Sequence, residues 1–99
     1  MTVVQYQAAA KADLVEAWLQ IAGDGGSDRA DNYISRLQEI CQLIASQPAM
    51  GVDRPDVAKG VRSFPVDHYV IYYELHGSML SVLRIWHSAQ DPISLSLRP

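Results

Sequence analysis

A lone cysteine, three histidines and a short run of serine, aspartate and histidine are the residues with which this chain could do covalent or metal chemistry. Cys41 is the single cysteine, so neither an internal disulfide framework nor a cysteine-rich zinc site is available. It falls inside an apolar stripe of helical period, the setting of a structural thiol and not of a nucleophile. Ser63, Asp67 and His68 carry the letters of a triad, but a strand and its turn do not give triad geometry. His68, His76 and His87 show neither H-x-x-x-H nor H-x-H spacing, so no metal and no cofactor is expected. Gly23-Asp24-Gly25-Gly26 precedes a helix as a phosphate loop would. It lacks the P-loop lysine and follows a helix instead of a strand, so it reads as a connector.

The remaining polar candidates suit recognition better than catalysis. Arg84 lies in the apolar run Val82-Leu83-Arg84-Ile85-Trp86, where a guanidinium needs a carboxylate or carbonyl partner. Two readings stand: an internal ion pair with a helix acid such as Asp13 or Glu16, or an anchor for a partner's carboxylate, with Arg62 beside it at the sheet edge. Trp18 and Trp86 divide in the same way between core and interface anchor.

Charge narrows the partner. The 99 residues hold 8 Lys+Arg against 11 Asp+Glu, a formal net charge of −3. Residues 8–47 carry three cations against six carboxylates, and residues 48–99 five against five. Neither half offers the basic stripe from which nucleic-acid binders draw their affinity, so a protein partner is the better expectation. With 48% hydrophobic and 19% charged residues the chain has globular composition, and its length suits one domain over residues 1–99. No apolar run reaches the length of a membrane span, and Met1–Gln7 shows no signal-peptide pattern. The expected location is the cytoplasm.

These residues are positioned by a short series of elements. Val3–Gln7 alternates and is β-prone. From Ala8 helix formers take over, with Leu14, Trp18 and Ile21, joined by Val15, Leu19 and Ala22, as the expected apolar face. The glycine-rich segment 23–26 ends this helix, and Ser27 or Asp28 caps a second one. Its stripe is Ala30, Tyr33, Ile34, Leu37, Ile40, Cys41 and Ile44, and Pro48 and Gly51 terminate it. A connector of four to five residues makes the pair an antiparallel αα-hairpin. The period then falls to two. Val61–Val66, Tyr69–His76 and Met79–His87 read as strands, with Gly77-Ser78 as a two-residue hairpin turn and Asp67-His68 as a second turn. In that register Leu75 faces Leu80, Tyr73 faces Val82, Ile71 faces Arg84 and Tyr69 faces Trp86, all on the side that meets the helices. The other side, with Val70, Tyr72, Leu83 and Ile85, is too apolar for free solvation. The tail segment Ile93–Leu97 or a partner is expected to cover it. The fold class is α+β, in the order β-α-α-β-β-β: an N-terminal strand, a helical hairpin and a three-stranded antiparallel sheet.

The ordered set Ala12-Asp13-Leu14, Trp18, Ile21-Ala22, Ala30, Tyr33, Leu37, Leu43, Pro48, Gly51, Arg54 and Val61-Arg62-Ser63-Phe64 resembles the ParE/RelE toxin superfamily. Tyr69-Val70-Ile71-Tyr72-Tyr73, then Leu83-Arg84-Ile85-Trp86-His87 and Asp91, complete it, so the likeness spans about Val3 to Asp91. The resemblance implies the same β-α-α-β-β-β fold and a toxin of a type II toxin–antitoxin pair. RelE-like members resemble one another as ribosome-dependent mRNA endonucleases with Lys, Arg and often a C-terminal Tyr on the sheet. This chain has Val70 where that pattern has a basic residue, Ser88 and Gln90 past the last strand, and no tyrosine after Tyr73. His87 would stand as a general base without cationic neighbours.

The ParE-like branch, whose members resemble poisons of DNA gyrase, fits better. One departure is Ser88-Ala89-Gln90, where the family often has arginine. The expected partner is a cognate antitoxin, of the ribbon-helix-helix type, lying along the helix hairpin and sheet edge in a hetero-oligomer. DNA is reached only through the antitoxin. The antitoxin contacts expected are Trp18, Arg29, Tyr33, Arg62, Arg84 and Trp86; the target contacts are His87, Gln90 and Asp91. No catalytic residue is assigned. The rival expectations are a RelE-like mRNA endonuclease and a degenerate toxin that binds antitoxin alone.

Overall fold

Helix and strand periods alternate along the chain as expected, and the computed structural model, which describes residues 3–88, places them in two layers. Strand β1 (Val3–Tyr6) leads into helix α1 (Ala8–Gly25) and helix α2 (Ser27–Ser46). A 3₁₀ turn at Pro48–Met50 and a two-residue strand β2 (Val52–Asp53) precede β3 (Arg62–Val66), β4 (Tyr69–His76) and β5 (Met79–His87). The sheet has five strands in the order β1-β5-β4-β3-β2, so the N-terminal strand is no separate piece. It joins β5 in parallel, which makes the sheet mixed, and β2 adds a strand that the sequence pattern does not announce.

The turn between the helices is shorter than four residues. Helix α1 runs on through Gly23, Asp24 and Gly25, and Gly26 alone reverses the chain at φ 90, a backbone state that costs other residues strain. Its N–H donates to the Ala22 carbonyl at 3.0 Å. No side-chain cap starts α2, so neither Ser27 nor Asp28 has the capping role; Asp28 sits in the first turn, where a carboxylate suits the helix dipole.

The helix layer meets the sheet through Ala10 and Ala17 of α1 and Leu37, Cys41 and Ile44 of α2, packed on Ile71, Tyr73, Leu80, Val82 and Ile85. The α2 stripe is the expected one. The α1 face is not: Leu14 and Ile21 are half-buried, whereas Val15 and Leu19 remain 60% and 58% exposed. Two alanines let the helix axis approach the sheet closely, so larger neighbours on the far side are not drawn in.

A bulge corrects the strand register. Leu75–Leu80 and Tyr73–Val82 pair as expected, then Leu83 is skipped and Tyr72 pairs with Arg84, Ile71 with Ile85, Val70 with Trp86 and Tyr69 with His87. One extra residue on β5 flips everything beyond it. Ile85 turns inward, while Arg84 and Trp86 turn to the reverse side, so Arg84 is not opposite Ile71 in the helix-facing core. On that reverse side Val61, Tyr72 and Trp86 form a second cluster, beneath Val57 and Ala58 of the loop after β2. That loop is the cover seen among the described residues; Ile93–Leu97 lies outside them.

Candidate functional site

Where β1 stops at Tyr6, the far half of β5 loses its neighbouring strand. Helix α1 then takes over the edge. The Asp13 carboxylate accepts from Nε and NH2 of Arg84 at 2.7 and 2.8 Å and from the Ile85 backbone N–H at 2.9 Å. The guanidinium also lies 4.7 Å above the Trp86 ring. A two-pronged carboxylate pair is a strong charge-assisted contact, and Asp13 holds the Arg84 proton more tightly than usual. Of the two readings for Arg84, the internal pair is the one formed, and it occupies the guanidinium.

Beside this edge, a groove of about 660 Å³ opens between the hairpin end and the Asp67-His68 turn. Three residues expected to bind partners meet here: Arg29 and Tyr33 from α2 and His87 from β5. The Tyr33 hydroxyl donates to the Val66 carbonyl at 3.0 Å, and its ring lies 5.9 Å from Tyr69. Tyr69 in turn meets His87 edge-on at 5.0 Å and donates to Gln20 at 3.2 Å. The His68 and His87 rings stack at 6.4 Å. Burial, with the Asp67 carboxylate next in effect, pushes Tyr33 up to about 12, so its hydroxyl stays a donor at neutral pH. Arg36 bridges to Asp67 at 3.1 Å on an exposed rim, while the Arg29 stem lies against Gly25 with no ion pair among the described residues.

The other candidates stand apart. Trp18 donates its indole N–H to Asp31 at 2.7 Å across the helix seam. Arg62 is at the opposite sheet edge, where NH1 donates to the Gly51 carbonyl at 2.8 Å. Trp86 is buried in the reverse cluster. Gln90 and Asp91 lie outside the described residues. Asn32, Arg36 and Asp67 also line the groove, and none of them stands out as a candidate in the sequence. A signal for two of them exists, since Arg29, Asn32 and Arg36 fall three and four apart on one side of α2.

Chemically, the groove offers rings, amides and balanced charge. Among the described residues there is no group of three or more His, Cys, Asp or Glu side chains able to hold a metal. Cys41 is fully buried, and desolvation pushes its thiol up to about 11. No helix among the described residues is long and apolar enough to cross a membrane.

Fold and sequence together define a toxin domain: residues 4–92 match the family described as ParE toxin of type II toxin-antitoxin system, parDE, and the chain belongs to that family. Its expected partner is accordingly an antitoxin. Among relatives, Toxin ParE1 of Caulobacter vibrioides is 28% identical over 82 residues, 83% of this chain and 84% of that protein. Toxin ParE1 of Mycobacterium tuberculosis is 27% identical over 84 residues, 84% of this chain and 86% of that one. A solved structure described as the chromosomal ParDE TA system from P. aeruginosa superposes with a TM-score of 0.76 at 20% identity, covering 88% of this chain and 96% of its own. That likeness speaks for the fold.

Proposed function

We propose that this ParE-family toxin acts by binding and poisoning DNA gyrase, without catalysis, until a ribbon-helix-helix antitoxin neutralises it. One observation carries the choice against RNA cleavage. On the reverse side of the sheet two of the described arginines are already neutralised: Arg84 is held by Asp13 above Trp86, and Arg54 by Asp56 at 3.0 Å, 5.7 Å from the Tyr72 ring. A nuclease needs cations left over to stabilise a phosphorane, and these two are committed to carboxylates and rings. The groove holding Arg29, Tyr33 and His87 then supplies polar contacts to a protein partner.

The test is a supercoiling assay with purified gyrase, run beside primer extension on translating ribosomes. Loss of supercoiling with accumulated cleavage complex, relieved by the antitoxin, is the expected result. Codon-linked cuts in mRNA with untouched supercoiling would overturn it. Antitoxin binding without either effect would mark a chain that has lost its poison.

A further inference from the structure

Helix α1 is apolar on the side turned away from the sheet, where a surface helix is normally polar. Ala8, Ala12, Val15, Leu19 and Ala22 succeed one another at steps of four, three, four and three residues. Ala10 and Ala17, the residues α1 buries, lie on the opposite side of the helix. Val15 and Leu19 are 60% and 58% exposed, and Ala8 and Ala12 are exposed beside them. No polar side chain interrupts this stripe: Lys11 and Glu16 flank it, while Asp13, Gln20 and Asp24 share the sheet-facing side with Ala10 and Ala17. A helix apolar on both faces is one that expects a cover on each. The four–three spacing is the seam of a two-stranded coiled coil.

We propose that this seam is a self-association surface, on which α1 of a second copy of the chain packs in parallel. Charge decides both the occupant and the direction. With Ala12 and Leu19 at one seam position and Ala8, Val15 and Ala22 at the other, Lys11 and Glu16 are the flanking residues on opposite sides. They stand five residues apart, the separation at which flanking charges of two parallel helices meet. Each seam therefore gains two Lys11–Glu16 pairs, one on each side of the two-fold axis. An antiparallel pair centred on Val15 would instead bring the two Glu16 carboxylates together. Among the described residues neither Lys11 nor Glu16 forms an ion pair within its own chain. Because the seam lies opposite the buried face, the two sheets end up on the outside, and the two-fold puts each α2 on its own flank. Five turns of alanine-rich helix make a small interface, near the lower limit of ~1,200 Å² for stable ones, so the dimer is a weak one.

Sedimentation equilibrium of the purified full chain tests this. A concentration-dependent rise from 11.0 kDa to twice that mass is expected. Leu19→Glu, at an exposed position that leaves the fold intact by circular dichroism, holds the chain at monomer mass. Lys11→Glu weakens the dimer at least tenfold, and the charge swap Lys11→Glu/Glu16→Lys restores it. A chain that stays monomeric at the highest attainable concentration overturns the proposal. So does a dimer indifferent to Leu19→Glu, or a seam protected from hydrogen exchange only when antitoxin is added, which would assign it to that partner. None of these readouts depends on gyrase, so the functional reading stands or falls separately.

Discussion

The Tyr73 hydroxyl occupies the space that a side chain on residue 51 would need. It accepts from the Gly51 N–H at 3.0 Å and donates to the Pro48 carbonyl at 2.8 Å, tying the 3₁₀ turn to the middle of the sheet. A Cβ on Gly51 would overlap that hydroxyl and lie 2.9 Å from the Ser63 carbonyl. Gly51→Ala is therefore expected to destabilise the fold by about 1–3 kcal/mol through overpacking. Tyr73→Phe alone leaves a buried N–H and a part-buried carbonyl short of a partner, at a cost of about 1–3 kcal/mol. In urea unfolding the double variant should cost less than the sum, because removing the hydroxyl also removes the closest of the contacts that an added Cβ would make. Strict additivity would contradict the contact.

Asp13 and Arg84 expose only 14% and 17% of their side chains, so breaking the pair leaves a charge without its partner in a mostly dry site. Asp13→Ala should cost about 3 kcal/mol, the low end for a buried pair. Asp13→Asn, which keeps an acceptor for the Ile85 N–H, should cost visibly less. Equal losses for the two would mean that the backbone contact contributes nothing.

Burial holds several acids protonated into the alkaline range, Tyr6, Tyr69 and Tyr73 among them, and Cys41 and Tyr33 are two whose loss can be followed. Burial raises Cys41 from 9.0 to about 11, and burial with Asp67 raises Tyr33 from 10.0 to about 12. The unfolded chain releases these protons first, so the stability they contribute is intact below pH 9 and is lost as pH climbs through 9 to 12. Melting temperatures measured across that window should fall, more shallowly for Tyr33→Phe. Cys41 should also resist thiol reagents at about pH 8 in the native state and react freely in urea.

Arg29 has no carboxylate partner among the described residues, so its removal should leave the fold untouched. In the functional reading, Arg29→Ala lowers antitoxin affinity about tenfold, the effect of losing one charge-assisted contact, roughly 1.4 kcal/mol. Calorimetric titration against Arg62→Ala gives the contrast, since Arg62 is spent on Gly51 at the far edge. Wild-type affinity in Arg29→Ala would remove the groove from the interface.

Much of the architecture is written in periodicity. The α2 stripe from Ala30 to Ile44 and the bounds of β4 and β5 come from side-chain alternation alone, because burial on one face dictates residue type at every step. The skipped Leu83 is not legible: its apolar side chain fits either face, and a bulge leaves the pattern of types unbroken while reversing the facing of every later residue in the strand. Val15 and Leu19 mislead in the opposite sense, since hydrophobic residues at helical spacing do not say which of two faces meets the sheet. The groove is half visible. Arg29, Tyr33 and His87 are recognisable as polar or aromatic residues in the right places, but that His87 reaches Tyr69 depends on the bulge. The charged turn residue Asp67, at φ 54, gives no hint that Arg36 will find it.

Asp13 is also a guard against polymerisation. Past Tyr6 the rim of β5 would otherwise present a bare ladder able to template any extended segment, from a nascent toxin or a neighbour in a crowded cell. One carboxylate, anchored on a rigid helix and braced by Arg84, fills the docking place of an incoming carbonyl at Ile85. Substituting it should therefore do more than soften the monomer: fibrillar or amorphous association, seeded at that vacated rung, is the failure to look for.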